Sequence, residues 1–299
     1  MKTILIAFST NFLIAVSKFA GFLLTRSASM LSESMHSLAD CANQVLLLIG
    51  HFRSSKKGDN KFNFGHGKEE FLWSFLVAII LFTLGSAFSI YEGIKHIIHP
   101  EKLEHLPVVL VILLVGIGLE SYSLFHAVKE ANEEKPKKQT FIKYIKKTSN
   151  ASNIVVLIED SAAITGLLGS FIFILLAYFV DPIFDGIGAI FTGLILGFLS
   201  VFLAIELGNL IKGESLSAKD TYLIKTLILK EKLVENINGI YSTIIGNDKY
   251  LIIVSVDPFN SDSGYDIEDI SIKIKNLVKE KYPESTVFVD FSKYETIKI

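Results

Sequence analysis

The sequence predicts an all-α bundle of six transmembrane helices followed by a small cytoplasmic α+β domain. Three observations carry this. The chain of 299 residues is 50% hydrophobic, with a mean hydropathy of +0.46, above that of an ordinary soluble domain. Its apolar residues fall in blocks of about 20, the length that crosses a bilayer core. The blocks stop near residue 211, and the remaining C-terminal residues read as ordinary soluble sequence. The expected domains are therefore 1–213 in the membrane and 214–299 beyond it. A net charge of −2 gives no sign of nucleic acid as a partner. With one cysteine, Cys41, no intrachain disulfide can form.

The spans run about 3–25, 29–52, 71–97, 107–128, 151–180 and 184–211. Phe71–Tyr91 and Gly186–Ile205 carry no charge at all. Glycines at 85, 116, 118, 166, 169, 186, 188, 193 and 197 suit close helix packing in lipid. Orientation follows from lysine and arginine. The loop after span two holds Arg53, Lys56, Lys57, Lys61 and Lys68. The loop after span four holds Lys129, Lys135, Lys137, Lys138, Lys143, Lys146 and Lys147. The opposite side offers Arg26, Lys95 and Lys102. Both termini and the tail are thereby expected in the cytoplasm.

The tail reads as helix 218–233, strands 237–246 and 249–257, helix 266–281 and strand 286–292. Ile252–Val256 and Thr286–Asp290 are rich in β-branched residues. Gly246-Asn247-Asp248 signals a hairpin, and Asp266 with Asp269 marks a helix start. Two or three strands with helices on one face are expected.

Span two carries the chemistry. In Glu33-Ser-Met-His36-Ser-Leu-Ala-Asp40-Cys-Ala-Asn43, His36 and Asp40 stand four apart on one helical face, with Glu33 and Asn43 continuing it. Each charge at a span centre costs roughly 2.5–3.5 kcal/mol on insertion scales, so such a stripe points to ion handling. An imidazole and a carboxylate on adjacent turns form half of a site for a divalent transition metal. Span five supplies the complement, Glu159 and Asp160. Being adjacent, they diverge by about 100°, and Asp160 is expected to ligate, with Glu159 behind it or accepting a proton. Asn11, Lys18, Asn43, Glu120 and Asn153 read as interhelical partners, with Lys18 neutralising an acid. His66 reads as part of a turn before span three, and His96, His99 and His105 surround the outer loop. The tail has neither histidine nor cysteine, so it contains no imidazole or thiolate metal site.

Taken together, Asn11…Lys18…Gly21, Ser27…His36-Ser-Leu-Ala-Asp40, Phe64-Gly-His-Gly-Lys-Glu, Asp181-Pro182 and Leu210-Ile-Lys-Gly-Glu214 resemble the cation diffusion facilitator family of metal exporters. The His-Ser-Leu-Ala-Asp-x-x-Asn-Gln run and Glu159-Asp160-Ser-Ala-Ala resemble its divergent branch containing zinc transporter nine. Typical zinc members carry His-x-x-x-Asp in span five, where this chain has Val156 and Asp160. The resemblance implies a transporter rather than an enzyme, with a ferredoxin- or metallochaperone-like tail that dimerises. No cofactor is expected beyond the transported metal: zinc first, with manganese or iron admitted because one imidazole among carboxylates is a harder donor set. Metal binding to His36, Asp40 and Asp160 releases protons, so proton-coupled export is the expected activity. The expected partners are the metal ion, protons, the lipid bilayer and a second copy of the chain. The expected location is a bacterial inner membrane, since no transit peptide is evident. The alternative is a non-transporting member acting as a scaffold or partner subunit.

Overall fold

The computed structural model describes residues 2–103, 105–134, 145, 148, 150–231, 233–259, 261 and 263–293, with side chains left out for 2–10, 130 and 134. Lys135, Lys137, Lys138, Lys143, Lys146 and Lys147 of the basic loop lie outside the described residues. The chain forms two compact units. One comprises 1–51 and 72–208, and the other 52–71 and 209–299.

The first unit is built of long helices: α1 (Lys2–Thr25), α2 (Ala28–Ser54), α3 (Glu69–Ile98), α4 (Leu106–Glu134), α5 (Ala151–Phe179) and α6 (Ile183–Lys212). Among the described residues, α3 to α6 are the four long and apolar enough to cross a membrane. α1 has a shorter apolar stretch over Asn11–Thr25. α2 is diluted by its polar stripe. The helix limits fall within a few residues of the predicted spans, because hydrophobic block length and helical rise fix both.

Within α3, Leu81–Ala87 winds as a π-helix, a departure that no periodicity in the sequence signals. α3 and α6 meet through glycines: a Cβ on Gly93 would lie 2.6 Å from the Gly186 carbonyl oxygen, and one on Gly186 would lie 2.7 Å from that of Gly93. Only the absence of both side chains allows the two backbones this close. Gly118 is an exception among the predicted packing glycines, since it faces open space. It sits on the outward side of α4, and spacing alone does not reveal which side of a uniformly apolar helix is outward.

Asp185, on the first turn of α6, caps a different helix. Its carboxylate accepts from Ala28 N at 2.6 Å, Ser29 N at 3.1 Å and Ser27 Oγ at 2.8 Å. Two orphan donors at the start of α2 are thus satisfied by a negative charge at the positive end of its dipole. His96 Nε2 stands 3.6 Å from the same carboxylate.

The second unit contains α7 (Ala218–Lys230), β1 (Asn236–Gly246), β2 (Lys249–Asp257), α8 (Gly264–Lys281) and β3 (Thr286–Phe291). The three strands lie in the order β1-β2-β3. The first pair is antiparallel and the second parallel, so α8 is the crossover. The Asn247-Asp248 turn joins β1 to β2, with Asp248 at φ 52°. Ile252, Val254 and Val256 alternate inward from β2 onto Ile224 and Ile228 of α7 and Ile270, Ile274 and Val278 of α8. The start of α8 corrects the prediction. Ser263 is the N-cap, and Asp266 is the third residue of a reciprocal capping box. A serine reaching the Asp266 backbone satisfies that donor, while the aspartate returns to the cap. α7 also ends at Lys230, earlier than expected.

Residues 52–71 belong to this unit. A Cβ on Gly67 would collide with the Ile245 carbonyl oxygen, so only glycine permits this approach. Lys68 Nζ donates to Ile211 O at 3.2 Å. Asp59 closes the loop by accepting from Phe62 N at 2.7 Å and Lys61 N at 2.8 Å, with His66 Nε2 at 3.0 Å. The Phe62 N–H, then His66 and the Lys61 N–H, hold the Asp59 carboxyl down at about 2. His66 is thus part of the turn, the role the sequence assigns it.

Candidate metal-transport site

Inside the first unit, α1, α2, α4 and α5 surround a cavity of about 690 Å³. Asn11, Asp40, Gln44, Glu120, Ser123, His126, Asn153, Glu159 and Asp160 contribute its polar wall. It extends to Asn150 and Ser152, at the start of α5. Asn150 caps that helix by accepting from Asn153 N at 3.1 Å.

Asp40 and His36 share one face of α2, as the four-residue spacing requires. His36 Nδ1 lies 3.7 Å from Asp40 Oδ1, too long for a hydrogen bond. His36 is 1% exposed, and neither ring nitrogen has a hydrogen-bond partner among the described residues. Asp40 Oδ1 is likewise buried without one. Buried polar atoms are normally paired, so this side of α2 has donor and acceptor capacity to spare. His36 stands behind Asp40 and does not line the cavity itself.

On α5 the helical phase reverses one expectation. Glu159, rather than Asp160, faces α2: it accepts from Asn43 Nδ2 at 3.0 Å and lies in electrostatic contact with Asp40. Asp160 turns toward α4 and accepts from Ser123 Oγ at 2.8 Å. The two carboxylates diverge as adjacent helical residues must. The phase itself is set by the packing of α5, whose Gly166 and Gly169 sit against Thr192 and Phe191 of α6. Both carboxylates still reach the same cavity. Among the described residues, no three His, Cys, Asp or Glu side chains close into a metal-holding cluster. The acids instead line the cavity wall, with Val156 on the same wall one turn before Asp160.

Two cavity residues lie outside the set that the sequence picks out as ligands. Glu120 reads there as a packing partner, and His126 has no assigned role. Their signal is Glu120-x-x-Ser123-x-x-His126, a three-residue rhythm that places all three on one side of α4. The outer histidines divide: His96 and His99 line a separate cavity of about 400 Å³ with Arg26, Glu92, Lys95 and Glu101, and His105 is not part of its lining.

Farther along α2, Glu33 is engaged differently. Lys18 Nζ of α1 lies 3.3 Å from Glu33 Oε2, and Ser170 Oγ donates to Glu33 Oε1 at 3.2 Å. Lys18 is 1% exposed and Glu33 fully buried.

A polar stripe on one helix, facing carboxylates on another within a membrane unit, is an arrangement that can attract a cation. The sequence agrees: residues 4–211 match the cation efflux transmembrane domain, and the chain belongs to that family of integral membrane proteins. It is 29% identical over 258 residues to the mitochondrial proton-coupled zinc antiporter SLC30A9 of mouse, covering 86% of this chain and 46% of that protein, and equally identical to the human form. It is 26% identical over 249 residues to metal tolerance protein C4 of Arabidopsis thaliana, covering 83% of this chain and 54% of the relative. The chain thus spans about half the length of these relatives. A shorter match, 32% over 148 residues, is to the magnetosome protein MamM of Magnetospirillum gryphiswaldense.

Proposed function

We propose that the protein exports a divalent transition-metal ion from the cytoplasm in exchange for protons, with zinc the preferred cargo and manganese or iron also accepted. It does so as a homodimer of six-span subunits, with a transport domain over 1–213, a cytoplasmic domain over 214–299 and both termini on the cytoplasmic side. A bacterial inner membrane is the proposed location. The observation that carries this reading is the convergence of Asp40, Glu159 and Asp160 on one intramembrane cavity, with an Asp40 oxygen lacking a hydrogen-bond partner. Packing alone leaves no reason to collect three carboxylates there, since burying charge is costly unless it is compensated.

The cavity reaches Asn150 and Ser152, which follow the lysine-rich stretch 129–147 in the sequence, and the positive-inside rule assigns that end to the cytoplasm. Metal enters there and is held by Asp40 with Asp160 and Glu159, while His36 supplies an imidazole from behind Asp40. Ligating carboxylates must shed their protons, so loading releases protons and acid from the far side expels the ion. The relatives named as a proton-coupled zinc antiporter support both cargo and coupling. The rival reading, a scaffold or partner subunit that moves nothing, is favoured by Val156 standing where a second histidine would complete a tetrahedral site.

The test is metal uptake into inverted proteoliposomes loaded with a metal-sensitive dye, comparing zinc, manganese, iron and cobalt with and without a proton gradient. Gradient-driven flux that Asp40→Ala abolishes is the expected result. Undiminished flux in Asp40→Ala, or none for any metal from well-folded protein, overturns the proposal.

A further inference from the structure

Lys18 is a buried cationic side chain of α1 whose charge acts on Glu33 and also on two cavity acids, Glu120 and Asp40. On one side is Glu33, to which it is paired. On the other is Glu120, part of the cavity wall. The Lys18 stem passes over α4: its Cε lies 3.6 Å from where a Cβ on Gly116 would be. Glu120 stands one turn further on the same side of that helix, about 6 Å along its axis. A lysine is a point charge on a flexible four-carbon stem, so an ammonium released from Glu33 can swing along α4 toward Glu120.

We propose that Lys18 is a tethered counter-ion that competes with the transported metal for the cavity carboxylates, and that Glu33 sets the strength of this competition by holding Lys18 aside. Resting on the transport reading above, this gives Glu33 a specific task. Parked on Glu33 and Ser170, the ammonium leaves Asp40, Glu159 and Asp160 to a divalent cation. Released from Glu33, it moves to Glu120 and neutralises the wall that draws the metal in. The physical cause is that a buried charge deprived of its partner does not remain unpaired when another lies within reach. Glu33 is thus a positioning residue acting through Lys18, and Lys18 determines how strongly the site holds its cargo when the carrier must let go.

The experiment measures zinc affinity of the purified full-length protein in lipid nanodiscs, by competition with a fluorescent chelator at fixed pH and ionic strength. Four proteins are compared: wild type, Glu33→Gln, Lys18→Met and the double variant. Glu33→Gln is expected to weaken zinc binding about tenfold, the scale of one unit charge moved closer to a divalent ion. Lys18→Met is expected to tighten it several-fold by the same argument. The double variant should match Lys18→Met, because Glu33 has no effect once the lysine is gone. A Glu33→Gln protein with wild-type affinity overturns the inference, as does a weakening that persists in the double variant, which would mark Glu33 as merely structural. If Glu33→Gln does not fold, Lys18→Met decides alone, with unchanged affinity overturning the inference. Wild-type protein that neither binds nor moves any metal would instead sink the transport reading, a separate outcome.

Discussion

α2 carries two polar layers seven residues apart, and they are built to opposite rules. At Glu33, both carboxylate oxygens have partners, Lys18 and Ser170, and the group is sealed. At Asp40, one oxygen has none, His36 stands too far to donate, and a cavity opens beside it. Both layers pay for desolvation, but only the first recovers it with a partner for each carboxylate oxygen. A membrane protein that compensates one buried carboxylate fully and leaves another short, on the same helix, separates holding the fold from holding a ligand. The unsatisfied layer is the one suited to a ligand, and the satisfied one bears on it only through Lys18.

The contrast breaks most clearly at Asp40. Asp40→Ala should lower metal flux by more than about a hundredfold, the scale of losing one ligand from a site of few. The same variant should melt within a few degrees of wild type in detergent, because loss of the hydrogen bond to Glu159 is offset by removal of a buried carboxyl. A large loss of thermal stability would mean that the open layer is structural after all. The reverse pattern is expected at the Asp185 cap, which is fully satisfied. Asp185→Ala should cost roughly 1–2 kcal/mol of stability, in the range of a lost N-cap, with flux per folded molecule falling far less than in Asp40→Ala. Its melting curve and its flux per folded molecule separate the two effects.

The smallest effect lies outside the membrane. Asp59 is held at about 2 by the Phe62 N–H, His66 and the Lys61 N–H, so its folded value is depressed relative to an unstructured aspartate. The loop it closes is therefore firm above the ordinary aspartate range and loosens as pH falls through about 2. Amide resonances of Lys61 and Phe62, followed during acid titration, should shift with that midpoint, and Asp59→Ala should abolish the transition.

Much of this was legible in the sequence because it depends on local rules. Hydrophobic block length set the ends of α3, α5 and α6 to within a few residues. The β-branched run Ile252–Val256 placed β2, and the four-residue spacing placed His36 beside Asp40. The features that escaped reading depend on contacts between distant segments. Whether Glu159 or Asp160 faces α2 is a matter of helix phase, fixed by Gly166 and Gly169 against α6. The inclusion of 52–71 in the second unit rests on Gly67 meeting the Ile245 backbone, about 180 residues away in the chain. The assignment of Lys18 to Glu33 required knowing that α1 and α2 pack with those residues level. The Glu120-Ser123-His126 rhythm, by contrast, was readable, but Glu120 was taken as an interhelical partner and His126 was given no role.

The Asp185 cap makes α2 a lever. Its first turn is pinned by three hydrogen bonds to the end of α6, so sliding or rotation there would break bonds that have no replacement. Tilting about that pin would preserve them. Asp40 lies twelve residues along, or about 18 Å, and His51 about 35 Å. A tilt of about 10° would displace them by roughly 3 Å and 6 Å. The fulcrum sits at one face of the membrane unit, and displacement grows toward the other. A ligand bound at Asp40 therefore travels about the width of a metal coordination sphere for a movement that leaves the pinned end in place.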